Sequence, residues 1–375
     1  MEIYTVRAGD TLPALARRFG CPPEALAQDN QLSSRRLVPG LSLLLPSETG
    51  GGREAPVFAY ARPDIAEETL AETMPSLTAL CAFTCRLSEE GALLPPEDAG
   101  FSARIRAGGA APLLTVSNLG GSGGFSGKSA HMLLASEQAQ EAFLDDLSAL
   151  LEEEGWAGVV FHLQYVFPFD RGAYSRFIRR AADRLHAGGF LVVSALAPQE
   201  SDGDGGLLCA AQDYAAHAEA ADYVILLSFE WGHVYSAPQA LSPLPRVRRA
   251  AERAAALIPP GKLLLGLSQH GCRWPLPWRQ GDEGELLGSA AAQELAASLG
   301  AAIRYDENAA ASFFTCTDAA GQRSVVWYED ARSLLARLRT ADEYGLAGVC
   351  LWTADRLFRP TLQLLRRHMP AIKIL

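Results

Sequence analysis

The amino-acid sequence predicts an α/β protein: a (β/α)8 TIM barrel with a small α+β insertion between strands 7 and 8, preceded by a small βααβ module. The chain has 375 residues, which is too long for one ordinary domain but enough for a barrel plus a small module. Eight short apolar runs alternate with helical patterns along most of the sequence. Three consecutive glycines at residues 50–52 separate a complete miniature pattern from the rest.

The miniature pattern fills residues 1–46. Residues 4–6 form a predicted strand, and a turn leads to residues 12–19, whose apolar side chains recur at helical spacing. Pro22 opens a second predicted helix that ends near Asn30, because proline is tolerated in a first helical turn. Leucines alternate over residues 41–45, which predicts a half-buried strand that Pro46 ends.

This βααβ order, with YTVRAGDTL, FG, DNQL and VPGLSLLLP, resembles a LysM module over residues 4–46. The resemblance implies binding of N-acetylglucosamine-containing glycans such as peptidoglycan and chitin in a shallow groove. That groove lies beside the first helix and the loop before the last strand. Carried over to this chain, it would use Asp10, Thr11, Leu12, Asn30, Gln31 and Leu32. The alternative is that these side chains only cap helices and turn the chain.

The barrel is predicted to occupy residues 55–375, after a flexible glycine-rich linker at residues 47–54. A helix is predicted over residues 136–154, capped by Ser136 and ended by Gly155. The eight predicted strands are residues 57–61, 77–84, 112–116, 158–163, 190–195, 223–228, 263–268 and 348–352.

The segment between the last two strands, about residues 269–326, is too long for a plain crossover. It contains strand-like pieces at residues 303–305 and 324–327. We therefore expect a small inserted subdomain beside the site.

The composition disfavours several function classes. Lys and Arg number 33 against 43 Asp and Glu, giving a formal net charge of −10, so nucleic acid and membrane are not expected partners. No run of about 18 apolar residues could span a bilayer, and the start has no secretory signal pattern. The seven cysteines are scattered, and only Cys81 and Cys85 lie close together. We expect reduced, buried thiols, a reducing compartment, no metal and no cofactor.

The barrel sequence carries SFEWG at strand six, IPPGKLLLGL entering strand seven, RYDENA in the insertion and VVWYEDARS entering the last helix. With the LysM-like module, these stretches resemble the glycoside hydrolase family 18 enzymes of spore formers, the cortex-fragment-lytic N-acetylglucosaminidases of the germination group. The resemblance implies peptidoglycan as the partner, with spore coat proteins as further candidates. It also implies synthesis in the mother-cell cytoplasm and deposition in the spore coat or cortex.

Family 18 enzymes carry DGxDxDxE on strand four, where the Glu protonates the glycosidic oxygen and an Asp orients the substrate acetamido group, which attacks the anomeric carbon. Alternate residues of a barrel strand point inward, so this spacing brings the carboxyls to the mouth of the barrel. The matching stretch here is residues 157–164, AGVVFHLQ. Ala157, Val160, His162 and Gln164 replace the four carboxylates.

Gln164 is the decisive replacement, because a primary amide has no proton to give near neutral pH. His162 would titrate in a suitable range, but it lies about 6.5 Å deeper along the strand, where it should not reach the leaving oxygen. Phe229 stands where the family has a Tyr that holds the acetamido group, and His270 stands where the spore enzymes usually have Tyr.

A sugar-binding floor is predicted at the end of the last strand, where family 18 barrels place a Trp under the sugar; here it is Trp352. Asp306, Glu329 and Asp330 are expected to fix the insertion and cap the last helix. The other candidate glycan contacts in the barrel are Gln164, Phe229, Glu230, Trp231, His270, Trp274, Arg304, Trp327 and Tyr328.

Three hypotheses follow. The first is a catalytically inactive family 18 barrel that binds glycan in the spore envelope; it needs an open cleft lined by Trp352 and Glu230 with a hydrogen-bonded Gln164 at its base. The second is an active or weakly active N-acetylglucosaminidase on cortex fragments, which needs a titratable group near the centre of the cleft. The third is a scaffold that binds another protein, in which Phe229 and Val160 fill the cleft.

Overall fold

The computed structural model describes residues 2–46, 51–96, 100–121, 123–201, 206–229 and 231–374. The N-terminal module (residues 1–46) has the predicted βααβ order. Its elements are β1 (Ile3–Thr5), α1 (Leu12–Arg18), α2 (Pro23–Asp29) and β2 (Ser42–Leu44), and the two strands pair antiparallel.

The strand β2 differs from the half-buried strand that the leucine alternation predicts, because all of its residues are buried. Leu43 and Leu45 face a core that the module shares with the insertion, whereas Leu44 belongs to the large apolar core of the barrel. One face of β2 therefore packs in the shared core and the other packs on the barrel.

Eight parallel strands close into the predicted barrel. In sequence they are β3 (Val57–Ala61), β4 (Ala79–Leu87), β6 (Ala111–Ser117), β7 (Gly158–His162), β8 (Leu191–Leu196), β9 (Tyr223–Leu226), β10 (Leu263–Ser268) and β16 (Gly348–Trp352). Each strand pairs with the next, and β16 pairs with β3 to close the ring. A short strand β5 (Leu93–Leu94) adds antiparallel to β4. The TIM barrel prediction is confirmed.

Helices cover the outside of the barrel. They are α3 (Glu67–Thr73), α4 (Phe101–Ala107), α5 (Gly127–Leu134), α6 (Glu137–Glu154), α7 (Arg171–Ala187), α8 (Tyr214–Ala220), α9 (Leu244–Leu257), α11 (Ala331–Glu343) and α12 (Arg359–His368), with 3-10 turns at Met74–Ser76, Pro168–Asp170 and Pro260–Lys262. The predicted limits of α6 are correct, since Ser136 accepts from Ala139 N–H and Gly155 ends the helix at φ 69°.

The insertion folds as a five-stranded antiparallel sheet with one helix. Its elements are β11 (His270–Leu276), β12 (Glu285–Gly288), α10 (Ser289–Leu299), β13 (Arg304–Asp306), β14 (Ala311–Thr317) and β15 (Arg323–Tyr328), and the sheet order is β12-β11-β15-β14-β13. Asp330 caps the next helix, α11, by accepting from two backbone N–H groups. That helix precedes the last strand, so it is not the last helix of the chain, which is α12.

The N-terminal module docks on the insertion through a shared apolar core. Leu41 and Leu43 of the module lie in one cluster with Ala292, Phe314 and Tyr328 of the insertion. A backbone hydrogen bond adds to this contact, since Ile303 N–H in the insertion donates to the Pro39 carbonyl of the module over 2.8 Å. Residues 47–50 of the predicted linker lie outside the described residues.

All seven cysteines are free thiols, and all but Cys21 are buried. Burial raises the pKa of the Cys85 thiol to about 12, so this side chain packs as a neutral group. Within the described ranges, no helix has the length and apolar character needed to cross a bilayer. The same residues contain no cluster of three or more His, Cys, Asp or Glu side chains suited to a metal ion.

Candidate functional site

The site is built around the end of β7, where the sequence Phe161-His162-Leu163-Gln164 leaves the barrel. Val160 points into the centre of the barrel, where it is fully buried in the inner apolar cluster. Gly158 fits its strand because a Cβ there would lie 2.2 Å from the Leu191 carbonyl oxygen. Ala157 packs partly against the same inner cluster at the start of the strand.

His162 lies in an aromatic box beneath the mouth of the barrel. Its ring stacks on Phe125 at 5.8 Å and on Trp352 at 6.0 Å, while Tyr60 and Phe83 approach it edge-on. Burial lowers the pKa of His162 from 6.5 to about 3, so the ring is neutral. His162 is only 2% exposed, and both of its ring nitrogens are hydrogen-bonded.

Gln164 is held from two sides. The Asn118 side chain accepts from the Gln164 backbone N–H over 2.9 Å and donates to the Gln164 carbonyl over 2.7 Å. The Gln164 amide Nε2 donates to His162 Nε2 over 3.2 Å, so Nδ1 of the neutral ring carries the proton and donates to the Tyr60 hydroxyl. The amide oxygen Oε1 is buried and has no hydrogen-bond partner within the described part of the chain.

Trp352 is the last residue of β16, and the surrounding aromatic side chains pack against it. The Phe229 ring stacks on it at 5.8 Å with the planes 19° apart, and Tyr60 and Phe83 meet it edge-on at 5.1 and 5.5 Å. Phe229 is buried because Gly266 leaves room for its ring, where a Cβ would be 2.8 Å away. Trp352 itself remains half-buried.

An open cleft of about 590 Å³ adjoins this cluster on the side of the first and eighth barrel strands. Phe83 and Trp352 contribute aromatic side chains to its lining, and Leu286 of the insertion also lines it. Arg62, which also lines the cleft, is paired with Asp64. No carboxylate pairs with the Arg356 guanidinium in the described parts of the chain, and this side chain also lines the cleft.

His270 lies below this cleft, at the start of the insertion. Its Nδ1 is 2.8 Å from the Ser268 hydroxyl, and the side chain is buried. Burial is the main cause that lowers the pKa of His270 to about 4, and the positive charge of Arg356 lowers it further. His270 is therefore a second neutral imidazole near Trp352.

Several side chains that were predicted to contact the glycan do not line the cleft. Trp274 is fully buried inside the insertion. The Trp231 indole donates to Glu200 and lies under the Arg246 guanidinium. Arg304 is exposed on β13, four strand spacings or about 19 Å across the sheet from β12.

The remaining insertion candidates have structural contacts. Trp327 stacks on Phe313, and Tyr328 is buried in the core shared with the module. Asp306 accepts from two backbone N–H groups in the turn after β13. Glu230 lies outside the described residues.

The structure thus brings Gln164, His162, Phe229 and Trp352 together. Sequence reasoning missed the side chains that surround them, namely Tyr60, Phe83, Asn118, Phe125 and Arg356. A signal for two of them was available, since Tyr60 and Phe83 lie towards the C-terminal ends of predicted strands, where barrel sites are built.

A second groove of about 570 Å³ lies at the N-terminal module. Of the six predicted residues, Leu12, Gln31 and Leu32 line it, together with Glu294 of α10 and Arg359 of α12.

The other three predicted residues have structural partners. Asp10 accepts from the Tyr4 hydroxyl and from Arg7 N–H, and the backbone hydrogen bond is the main cause that lowers its pKa. Thr11 caps α1. Asn30 is buried and makes three hydrogen bonds, one to Leu26 and two to Leu44.

Comparison with protein families gives two matches. The model described as glycosyl hydrolases family 18 matches residues 113–356, and the LysM domain model matches residues 4–46. Both resemblances drawn from the sequence are confirmed.

Individual proteins match along the whole chain. The cortical fragment-lytic enzyme of Bacillus subtilis (strain 168) is 31% identical over 428 aligned positions, covering 100% of this chain and 99% of that protein. The crystal structure of the Bacillus cereus spore cortex-lytic enzyme SleL is 30% identical with a TM-score of 0.82, covering 99% of this chain and 87% of that one. The Bacillus megaterium SleL structure also has a TM-score of 0.82, at 28% identity, covering 100% of this chain and 87% of that one.

Proposed function

Because this chain belongs to glycosyl hydrolase family 18 and carries a LysM domain before the barrel, we propose that it binds peptidoglycan, or another N-acetylglucosamine polymer, without hydrolysing it. One observation carries the proposal: the position of the family's acid is occupied by Gln164, an amide that donates to a neutral histidine. We place the protein in the spore envelope, because the relatives that match its whole length are named for spore cortex lysis.

The absence of a general acid is supported by the state of His162. A general acid must hold a proton at the working pH and reach the leaving oxygen. The pKa of His162 is lowered to about 3, so the ring carries no acidic proton near neutral pH. Both ring nitrogens are already hydrogen-bonded within the protein. A lost general acid costs about 10²- to 10⁴-fold in rate.

The other replaced groups support the same conclusion. Phe229 has no hydroxyl to hold an acetamido group, and its ring packs flat on Trp352. Val160 lies among apolar side chains in the centre of the barrel. A carboxylate at that position would lack a partner in this setting, so the present packing suits the apolar replacement.

Binding is favoured over a pure scaffold because the mouth of the barrel is filled only in part. Phe229 and His162 fill the side of the mouth towards the fourth and sixth strands. The scaffold hypothesis requires Phe229 to fill the cleft, and this it does in part. A cleft of about 590 Å³ stays open on the other side, with Phe83 and the half-buried Trp352 on its wall. Aromatic faces of this kind supply apolar contact and orientation to a pyranose ring.

The first experiment separates binding from hydrolysis. Cortex peptidoglycan fragments are incubated for a long period with the purified protein or with His162→Ala, and new reducing ends are sought by mass spectrometry. We expect no new N-acetylglucosamine ends with either protein. New ends that appear with the wild type and vanish in the variant would establish the alternative, an N-acetylglucosaminidase acting on cortex fragments in germination.

The second experiment tests the cleft itself. Calorimetric titration with soluble peptidoglycan fragments and with chitin oligomers should detect binding to the wild type. Trp352→Ala should weaken that binding, because it removes the aromatic wall of the cleft. Trp278→Ala is the matched control, since Trp278 lies in the insertion and lines neither groove. Equal affinities for all three proteins would contradict glycan binding at the cleft.

A further inference from the structure

The two grooves lie next to each other, and two segments of the chain each pass from the lining of one groove to the lining of the other. Leu286 on β12 lines the barrel cleft, and Ala290, at the start of α10, lines the module groove. They are four positions apart in the sequence, a span of at most about 14 Å. Arg356 and Arg359 repeat this arrangement three residues apart, at most about 11 Å.

The module is fixed in this position by several contacts. Its Gln31 side chain accepts from the backbone N–H of Arg359, the first residue of α12, over 2.8 Å. The Arg332 guanidinium donates to the Gly40 carbonyl over 3.0 Å. Together with the shared apolar core, these contacts hold the module groove in a fixed position beside the barrel cleft.

Beside the module groove, the insertion carries a buried polar group. Gln293 on α10 is 5% exposed, and its amide nitrogen has no hydrogen-bond partner among the residues that the structure describes. It lines a small crevice that continues the groove between α10 and the loop after α2. Glu294 lines both the crevice and the groove. A buried donor of this kind calls for an acceptor from a ligand or water.

We propose that the two grooves form one continuous binding face, on which a single N-acetylglucosamine-containing glycan strand lies across the cleft and the module groove at once. Glu294 of α10, which lines the module groove, then contacts sugar hydroxyl or acetamido groups there, with Gln293 behind it in the crevice. This inference rests on the proposed function, because both grooves must bind the same type of glycan. In this arrangement the module and the barrel form one rigid, extended site rather than two separate sites joined by a flexible linker.

The arrangement predicts a dependence on glycan length. A short oligomer occupies the grooves separately, whereas a long one crosses the boundary between them and binds as a single ligand. Joining two sites rigidly at short distance raises affinity by about 10²- to 10⁴-fold when one ligand reaches both.

The test is calorimetry of the full-length chain with the di- and hexasaccharide of N-acetylglucosamine. We expect two disaccharides per chain but one hexasaccharide, bound at least about 10²-fold more tightly than either disaccharide. Trp352→Ala and Glu294→Lys should each reduce hexasaccharide affinity to that of a single groove. Glu307→Lys is the control, since it makes the same charge change at an exposed position that lines neither groove.

Two hexasaccharides per chain, or a hexasaccharide affinity equal to that of the disaccharide, would overturn the continuous face and leave the proposed function intact. No binding of either oligomer or of peptidoglycan fragments would instead remove the proposed function, and this inference with it.

Discussion

Gln164→Glu restores the side chain that the family uses as its acid, yet we expect it to restore almost no hydrolysis. The new carboxyl would lie where the amide nitrogen now donates to His162 over 3.2 Å. Burial lowers the pKa of His162 to about 3, which corresponds to roughly 5 kcal/mol against protonating the ring. A carboxylate at that separation attracts the imidazolium by about 5 kcal/mol at an effective dielectric constant of about 20.

These two effects have the same size, so the variant pair would share one proton and titrate as a unit. A shared proton is not available to a glycosidic oxygen in the way that a free acid's proton is. In addition, Phe229 still lacks the hydroxyl that holds the substrate acetamido group, and Ala157 and His162 still stand in place of two of the family's carboxylates. We expect Gln164→Glu to stay within about tenfold of the wild type, whereas a working acid contributes about 10²- to 10⁴-fold.

The assay is release of reducing-end N-acetylglucosamine from cortex peptidoglycan fragments, with thermal unfolding to show that each variant is folded. The combined variant Ala157→Asp, His162→Asp, Gln164→Glu and Phe229→Tyr serves as the positive comparison and should exceed the single variant. A rate increase of 10²-fold or more from Gln164→Glu alone would refute this reasoning, because it would mean that the supporting groups are already in place.

Three further predictions concern stability. Arg337→Met should cost about 3–5 kcal/mol in urea unfolding, because it leaves the buried Glu329 carboxyl with the Ser242 hydroxyl but without its cationic partner, and adding Glu329→Gln should recover part of the loss; a cost below about 1 kcal/mol would contradict this. Burial lowers the pKa of His217 in the folded protein to about 4. Between about pH 6.5 and 4 the unfolded chain therefore binds more protons than the folded one, and stability falls as the pH falls. At pH 5 this group lowers the free energy of unfolding by about 2 kcal/mol. His217→Gln should therefore lose less thermal stability between pH 7 and 5 than the wild type, and equal losses would contradict the prediction. Gly40→Ala should destabilise by about 1–3 kcal/mol more than Gly9→Ala, since both have φ 87° but only at Gly40 would a Cβ meet the insertion backbone, at 1.8 Å; equal effects in urea unfolding would contradict the clash.

The sequence predicted the barrel because each strand is a local apolar run and each long helix has its own end signals. Ser136 and Gly155 fix the limits of α6 without help from the rest of the fold. The replaced carboxylates at residues 157–164 were equally visible, since their spacing lies within one strand.

The neighbours of those residues could not be predicted, because they come from other strands and loops. Asn118 reaches Gln164 across 46 positions of sequence, and Tyr60 reaches His162 across 102. Asn30 matched a binding motif, but its side chain holds Leu44, a contact that local spacing does not specify.

The sequence contained a signal that the module docks on the barrel, but the alternation of leucines in residues 41–45 obscured it. Residues 43–45 form a continuous apolar run, and such a run indicates a strand buried on both faces. Leu44 interrupts the alternation, and it is the residue that packs on the barrel core.

The core that the module shares with the insertion also limits how the two parts can be separated or exchanged in evolution. A cut within residues 47–54 would leave two fragments that stay associated, because Leu41 and Leu43 remain packed against the insertion. Transplanted alone onto another protein, residues 1–46 would carry an uncovered apolar face and a tendency to aggregate. The module and the insertion therefore constrain each other's substitutions, and recombination would have to move them together as one heritable unit.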